Sequence, residues 1–366
     1  MSGLRPTWVE VDLAAIRHNV RVLKPETAEL MAVVKADAYG HGDVAVARAA
    51  LEGGATWIGV ALVEEGLRLR DDGVDAPILV LSEFPPGSEA AALSAKLTPS
   101  LYSEAALERL AAAVAGRDVG VHVKVDTGMH RVGVYPPEAT RAFVDRVASA
   151  GLRLEALWTH FASSSEDEKT TLVQLETFQA TVEDVRSAGH TPALLHTANS
   201  GAAILYPETH LDLVRTGIAI YGLEPAPGVA DGLELRPALT WRSKVASTKR
   251  LPAGERVSYG HRYQLERDAN VATVPVGYAD GYPRMLSSRA DVLIRGHRCR
   301  VAGRVTMDQL IVDCGDVPVE PGDDVVLIGR HGDQTVTAEE LAGLAGTIGY
   351  EIVTGIGSRV PREHVA

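Results

Sequence analysis

The chain has 366 residues, of which 46% are hydrophobic and 23% charged, and its formal net charge is −12 at pH 7. This is the composition of a globular protein long enough for two domains, and the acidic balance argues against a surface for nucleic acid or anionic membranes. The first residues lack the apolar core of a signal peptide, and no apolar run approaches a membrane span, so we expect a cytoplasmic protein without membrane contact.

The first two thirds of the chain alternate between apolar strands and helical stretches. A short alternating strand at 8–13 precedes a helix that Asp12 caps. Further strands are predicted at 31–34, 57–62, 77–81, 97–101, 120–125, 152–159, 194–197 and 211–214. The intervening helices are predicted at 43–52, 63–71, 87–94, 103–115, 136–149, 167–188 and 200–204. Eight such repeats predict an α/β fold, a (β/α)8 TIM barrel over residues 1–232. An open doubly wound sheet is the alternative, but no G-x-G-x-x-G follows the first strand.

The pattern changes at a Pro/Gly-rich segment, 222–232, after which strands are short and turns frequent. We predict a C-terminal mostly-β domain over 233–366, with one helix from Thr337 to Gly343 that begins with a Thr337/Glu340 capping box. Cys299 and Cys314 are expected to stay reduced, and no Cys/His cluster has zinc spacing, so no metal is predicted.

Lys35 stands where the continuous apolar run 30–34 ends, and Gly40 and Gly42 are expected to turn the chain away after it. An ammonium at the rim of a dry interior is disfavoured, so its pKa should fall. The neutral amine is a base and a nucleophile, which suits Schiff-base chemistry with a carbonyl cofactor. A lysine that merely extends to solvent would look the same in isolation.

Other polar residues also follow predicted barrel strands. Because the chemistry of such barrels lies at the carboxyl ends of the strands, their recurrence there favours a functional site. These residues are Lys35, Tyr39, Lys124, Asp126, Arg131, His160, His196, Asn199, Ser200, Arg215 and Gly217.

Several blocks then resemble a known family, the bacterial alanine racemases, which depend on pyridoxal 5'-phosphate. In the barrel the blocks are Val33-Val-Lys35-Ala-Asp-Ala-Tyr39-Gly-His-Gly, Lys124-Val-Asp-Thr-Gly-Met-His-Arg131, Trp158-Thr-His160, Asn199-Ser200 and Val214-Arg215-Thr-Gly217-Ile218. Beyond it they are Val257-Ser-Tyr259-Gly, Val276-Gly-Tyr278-Ala-Asp-Gly-Tyr-Pro-Arg284, Gly303-Arg304-Val-Thr-Met307-Asp308 and Ile348-Gly-Tyr350-Glu. Each block is weak alone, but together they run through the whole chain in the family's order.

The resemblance implies a two-base isomerase that interconverts L-alanine and D-alanine and supplies D-alanine for cell-wall peptidoglycan. Lys35 would carry the cofactor as an internal aldimine and act as one base, and Tyr259 of a neighbouring subunit would be the other. A head-to-tail homodimer with two composite sites is therefore expected, the β domain of one chain completing the barrel site of the other. The remaining cofactor-binding residues implied are Tyr39, Arg131, His160, Asn199, Ser200, Arg215, Gly217, Ile218 and Tyr350.

The resemblance also assigns residues to the substrate. Arg131 would bond its carboxylate and the cofactor phenolate, and Met307 and Asp308 of the partner would line the carboxylate side. Lys124 would steady Arg131 as an N-carboxylysine. The access channel would include Tyr278, Arg284, Arg304 and Ile348. The chain departs from the family pattern at Thr306, where some members have Cys, and at Ser165 and Glu166, where a gating acidic residue is shifted or missing.

Arg215 distinguishes the predicted racemase from a decarboxylase. A pyridoxal-phosphate decarboxylase of the same architecture needs an acidic residue at the pyridine nitrogen, and arginine cannot accept a proton there. The β domain and Tyr259 argue against a non-enzymatic carrier of the cofactor. A broader racemase acting on serine or lysine remains an alternative.

Overall fold

The computed structural model describes residues 5–366, which form two compact units. The barrel unit comprises Ile16–Ala38 and Asp43–Arg236. The β-rich unit comprises the described residues up to Ala15, Tyr39–Gly42 and Pro237–Ala366. Within residues 5–366 no helix combines the length and apolarity that a membrane crossing requires.

Strands of the barrel unit follow the first strand of the chain, β1 (Thr7–Asp12). They are β2 (Glu29–Val33), β3 (Trp57–Val60), β4 (Ile78–Val80), β5 (Leu97–Leu101), β6 (Gly120–Lys124), β7 (Arg153–Trp158), β8 (Leu194–His196) and β9 (Leu213–Thr216). All neighbours are parallel, in the order β8-β7-β6-β5-β4-β3-β2-β9. No ladder joins β8 to β9, but backbone bonds cross there, from Asp212 N–H to Leu195 O at 3.1 Å and from Arg215 N–H to Ala198 O at 3.0 Å. The predicted barrel is confirmed as a nearly closed one.

Helices connect these strands. They are α1 (Leu13–Leu23), α2 (Lys35–Gly40), α3 (Asp43–Glu52), α4 (Val63–Asp71), α5 (Glu89–Ser94), α6 (Glu104–Val114), α7 (Thr140–Ser149), α8 (Glu168–Ser187) and α9 (Ser200–Leu205). Polar caps begin several of them: Asp12 accepts from Ala15 N–H at 3.0 Å, and Asp167 from Thr170 N–H at 3.1 Å. Only α2 contradicts the sequence prediction, which placed a simple glycine turn there.

Part of the barrel interior is filled by apolar side chains from four neighbouring strands, β9, β2, β3 and β4. Met31, Trp57, Leu79 and Leu213 form one buried cluster. Continuous apolar strands such as Ile78–Val80 are buried on both faces, as a parallel sheet covered by helices requires. Because this part of the interior is filled, a functional site in this barrel is expected at the ends of the strands.

The β-rich unit contains strands β10 to β20 and two helices. The strands are β10 (Leu239–Lys244), β11 (Ser247–Leu251), β12 (Arg256–Val257), β13 (Tyr263–Gln264), β14 (Ala269–Val274), β15 (Asp291–Ile294), β16 (His297–Val301), β17 (Leu310–Asp313), β18 (Asp324–His331), β19 (Gln334–Val336) and β20 (Arg362–Val365). The helices are α10 (Ala338–Ala345) and α11 (Gly349–Thr354). The main sheet has the order β11-β14-β17-β16-β15-β18-β10-β1-β20, and β19 pairs with β18.

Three details of this unit differ from the sequence expectation. Strand β1 pairs with β10 and β20, so the N-terminal strand belongs to this unit and not to the barrel, which was predicted to span residues 1–232. Thr337 caps α10 by accepting from Glu340 N–H at 3.0 Å, but the Glu340 carboxylate bonds Arg298 instead of completing the capping box. Helix α11 was not predicted. Cys299 and Cys314 are free buried thiols.

Candidate active site

Lys35 lies at the carboxyl end of β2, at the start of a left-handed turn. The four residues after it, Ala36 to Tyr39, have φ of 53, 53, 52 and 53°. Left-handed backbone costs an L-residue about 1–2 kcal/mol, so such a run needs support. Glu65 supplies part of it, accepting Ala36 N–H at 2.7 Å on one carboxylate oxygen while the other accepts Ala61 N–H at 2.8 Å. Ala38 N–H also donates to Val34 O at 2.8 Å. The half-buried Lys35 is thereby fixed at the strand end.

Two lysines of the barrel unit have lowered pKa values. Burial, then the charge of Arg131, lowers the pKa of Lys35, against an opposing effect of Glu65. Burial, with Arg215 and Arg131 nearby, lowers the pKa of Lys124 to about 7. Both ammonium groups therefore lose their proton, and become neutral amines, more readily than an exposed lysine does.

Arg215, at the end of β9, is 3% exposed, and four residues lie within hydrogen-bond distance of its guanidinium. One guanidinium nitrogen donates to the carbonyl of Thr159 at 2.8 Å and to that of Thr197 at 2.9 Å. The same nitrogen lies 3.3 Å from His160 Nδ1, and the other lies 2.9 Å from His196 Nδ1. Burial lowers the pKa of Arg215 to about 9, so the guanidinium is still charged at neutral pH.

Trp158 forms a platform beneath two of these cations. The Lys124 ammonium lies 4.5 Å from its ring centroid and the Arg215 guanidinium 4.9 Å, close enough for cation–π attraction. The His196 ring stacks on the same indole, with the ring centroids 5.4 Å apart. Burial, followed by the charges of Arg215 and Lys124, lowers the pKa of His160 well below its ordinary value, so this imidazole is neutral.

A tight loop after β6 carries Arg131. Asp126 accepts from Gly128 N–H at 3.0 Å and His130 N–H at 2.9 Å. Gly133 closes the loop with φ of +143°, and a Cβ there would lie 2.6 Å from Asp126 N. Arg131 is exposed in the single chain, at a loop position that this geometry fixes.

Hydrogen-bond donors gather at the start of α9 and the end of β9. Ser200 Oγ accepts from Gly217 N–H at 2.9 Å, and Ile218 begins the next turn. Asn199 caps α9, accepting from Ala202 N–H at 3.1 Å and from the Ser164 hydroxyl at 2.6 Å. Gly201 is needed where the 163–167 loop passes, since a Cβ there would lie 2.3 Å from Ser165 Oγ. Small polar residues and backbone amides of this kind suit a phosphate group.

Tyr39 and Tyr350 are neighbours within the β-rich unit, their ring centroids 6.1 Å apart. Burial raises the pKa of Tyr39, and burial also raises the pKa of Tyr350 to about 12. Both phenols therefore stay protonated at neutral pH and can donate hydrogen bonds to an anion.

A second group of predicted residues lines one cavity of about 620 Å³ in the β-rich unit. They are Tyr259, Tyr278, Arg284, Arg304, Met307 and Asp308. Tyr259 follows the strained Ser258, φ 64°, whose hydroxyl donates to Arg304 O at 2.9 Å. Asp308 is paired with Arg359 at 2.8 Å. Ile348 does not line this cavity but is 60% exposed, while Tyr259 is 69% exposed.

The structure thus gathers the predicted residues into two sets, one in each unit. Lys35, Lys124, Arg131, His160 and Arg215 influence one another in the barrel unit. Sequence reasoning missed Glu65, Trp158 as a platform, and His122. The alternation of side chains along β6 could have indicated His122, because residues two apart in a strand point to the same face and Lys124 lies two residues after it.

Comparisons with known proteins point to one family. Family models described as the alanine racemase N-terminal and C-terminal domains match residues 11–225 and 238–364. An alanine racemase of Symbiobacterium thermophilum is 52% identical, with 99% of this chain and 98% of that protein covered. The solved alanine racemase of a D-cycloserine-producing Streptomyces lavendulae has a TM-score of 0.95 and 41% identity, covering 100% of this chain and 98% of that one. A histidine racemase of Leuconostoc mesenteroides has a TM-score of 0.92 and 32% identity, covering 100% and 99%.

Proposed function

Because the chain belongs to the alanine racemase family, we propose that it interconverts L-alanine and D-alanine, with pyridoxal 5'-phosphate bound at the strand ends of the barrel unit. The D-alanine would serve peptidoglycan synthesis. A histidine racemase shares the fold, so the fold alone does not fix the substrate side chain. The higher identity to alanine racemases favours alanine over serine, lysine or histidine.

The residues present fit the cofactor. Lys35 offers an amine of lowered pKa for its carbonyl group. The Ser200 hydroxyl and the Ile218 amide offer donors for its phosphate, and Gly217 orients that hydroxyl by donating its N–H to Ser200 Oγ. The protonated phenols of Tyr39 and Tyr350 add donors, and Asn199 fixes the start of α9. When bound, pyridoxal phosphate is an electron sink that stabilises negative charge at the substrate α-carbon.

Arg215 carries the argument on reaction type. Its guanidinium is buried, charged and already donating to Thr159 and Thr197, so it can present a further N–H to the cofactor's pyridine nitrogen but cannot accept a proton from it. With an arginine at its pyridine nitrogen, the cofactor would withdraw less negative charge from the substrate α-carbon than with a carboxylate there. The removed proton then returns to carbon in preference to side reactions such as transamination.

Racemisation takes the α-proton from one face and returns one to the other. Lys35 and Tyr259 are the two bases, since a lysine amine and a tyrosine phenol are of similar basicity, which suits a reaction between isoenergetic enantiomers. Lys35 belongs to the barrel unit and Tyr259 to the β-rich unit. The 69% exposure of Tyr259, beside the exposed Tyr278 and Met307, suits a surface that a second copy covers.

We assign the substrate carboxylate to Arg131, with Met307 and Asp308 of the second copy along its other side. Lys124 steadies Arg131 once it carries a carbamate, since a negative group between Lys35, Arg131 and Arg215 converts repulsion into charge-assisted pairing. Tyr278, Arg284, Arg304 and Ile348 are assigned to the access channel. His160, bonded to Arg215, is assigned the link to the partner's Tyr259.

The direct experiment incubates the pyridoxal-phosphate-loaded protein with L-alanine and follows the products by chiral chromatography. We expect D-alanine to form until the enantiomers are equal, and a Lys35→Ala variant to form none. L-Serine, L-lysine and L-histidine in parallel measure the breadth of the site. A folded, cofactor-loaded protein that yields no D-alanine overturns the proposed function.

A further inference from the structure

A chain of neighbouring side chains in the barrel unit runs from Arg215 through His196 and His122 to Glu155. Hydrogen bonds join its first three members, and Glu155 lies within ion-pair distance of His122. Arg215 Nη1 lies 2.9 Å from His196 Nδ1, and His196 Nε2 lies 3.0 Å from His122 Nδ1. His122 Nε2 in turn lies 3.7 Å from a carboxylate oxygen of Glu155. Both imidazoles are fully buried, whereas the Glu155 side chain is 24% exposed.

The direction of every proton in this chain follows from its arginine end. Arg215 can only donate, so His196 Nδ1 must be the unprotonated nitrogen. A neutral His196 then carries its proton on Nε2 and donates it to His122 Nδ1. By the same reasoning His122 carries its proton on Nε2, which faces the Glu155 carboxylate. The tautomers of both histidines are fixed by their neighbours.

Burial keeps both rings neutral, as this scheme requires. Desolvation, then the charge of Arg215, lowers the pKa of His196 well below its ordinary value. Desolvation also lowers the pKa of His122, with Glu155 opposing it. A proton added to either ring would place an N–H against an N–H somewhere along the chain.

Glu155 reaches His122 because of a β-bulge. Along β6 and β7, Val121 pairs with Leu154 but His122 pairs with Ala156, so Glu155 is the extra residue of β7. A bulge turns a side chain away from its regular face. Gly120 makes room for it, since a Cβ there would lie 2.6 Å from a Glu155 carboxylate oxygen. The other carboxylate oxygen lies 3.7 Å from Arg153, at the amino-terminal end of the barrel.

We propose that Glu155 and His122 are positioning residues that hold His196 in the tautomer whose bare Nδ1 accepts from Arg215, and thereby aim Arg215 at the reaction centre. Only the alignment of Arg215 with the reaction centre rests on the proposed function. If His196 took the other tautomer, its Nδ1–H would face the Arg215 N–H, and the guanidinium would lose one of its anchors. The proton pattern itself is a property of the barrel unit.

The test compares two variants of His122 in the cofactor-loaded enzyme. His122→Phe keeps the ring volume but removes the acceptor for His196, whereas His122→Asn keeps an acceptor oxygen at the Nδ1 position. We expect His122→Phe to lower kcat for alanine about fivefold to tenfold, as loss of one buried hydrogen bond would, with KM unchanged. His122→Asn should retain most of the wild-type kcat.

Nitrogen NMR of 15N-histidine-labelled protein gives the independent measurement. Wild type should show His196 and His122 each with an unprotonated Nδ1 and a protonated Nε2, and His122→Phe should lose the single tautomer of His196. Equal kinetic losses in both variants, or an unchanged His196 spectrum in a folded His122→Phe, overturn the proposal. A wild-type protein that is inactive but shows the expected tautomers contradicts the proposed function and supports the proton pattern proposed for His196 and His122.

Discussion

At the scale of single residues, the site depends on side chains whose surroundings change their chemistry. Lys35 and Lys124 differ from an ordinary lysine because burial and neighbouring cations disfavour the charged form. Position after an apolar strand made Lys35 a candidate from the sequence. The cause at Lys124 could not be predicted, because Arg215 and Trp158 come from other strands.

Lys124 should form a carbamate more readily as pH rises. Only a neutral amine reacts with carbon dioxide, and with a pKa of about 7 the neutral fraction of Lys124 is small at pH 6 and dominant at pH 8. We expect a protein-bound 13C carbamate signal in labelled bicarbonate that grows over this range. A Lys124→Arg variant is the control. A signal of equal size in that variant, or none in wild type at pH 8, contradicts the assignment.

Tyr259→Phe removes one hydroxyl from a side chain that is 69% exposed, so we expect an unchanged melting temperature. Loss of one general acid–base group should lower racemisation by about 10²–10⁴-fold. Because Lys35 remains, one enantiomer of alanine should still exchange its α-proton with deuterated water and keep its configuration. Mass spectrometry of each enantiomer measures this exchange, and deuterium in both or neither would argue against two opposed bases.

At the scale of elements, the strands and helices were largely predictable, since continuous apolar runs and polar caps lie within the segments that form them. The turn at 35–40 was not. Glycines at 40 and 42 suggested an ordinary turn, yet four non-glycine residues adopt left-handed backbone there. Part of their support comes from Glu65, which accepts Ala36 N–H but is distant in sequence, so that no local pattern predicts the contact.

Removing that support should weaken both stability and activity. Glu65→Ala leaves the N–H groups of Ala36, Ala61 and Leu62 without their carboxylate partner. We expect the free energy of unfolding to fall by about 2–4 kcal/mol and racemase activity to fall with it, as Lys35 loses its fixed position. The neighbouring Glu64 is exposed, and Glu64→Ala is the matched control. Equal melting temperatures for the two variants would show that the turn does not depend on Glu65.

At the scale of the whole molecule, predicted site residues occur in both units, whereas the path of the chain differs from the prediction. The barrel pattern predicted Lys35 and Arg215 at strand ends, and the resemblance predicted Tyr259 beyond the barrel. The sequence did not indicate that β1 joins the C-terminal sheet, because an alternating strand of six residues carries no signal of its partner. Likewise Tyr39 falls in the β-rich unit although Lys35 does not.

The central claim is that one chain supplies Lys35 and a second chain supplies Tyr259. It is tested by co-expressing Lys35→Ala and Tyr259→Phe chains with different tags and assaying the mixture for D-alanine formation. Each variant alone should be inactive. Random assembly makes half of the dimers hybrids, and half of the sites in each hybrid carry both bases, so the mixture should recover about one quarter of wild-type activity. Isolated hybrid dimers without activity would contradict the claim, provided that a dimer of two wild-type chains carrying the same two tags is active. Full activity in a monomer would contradict it as well.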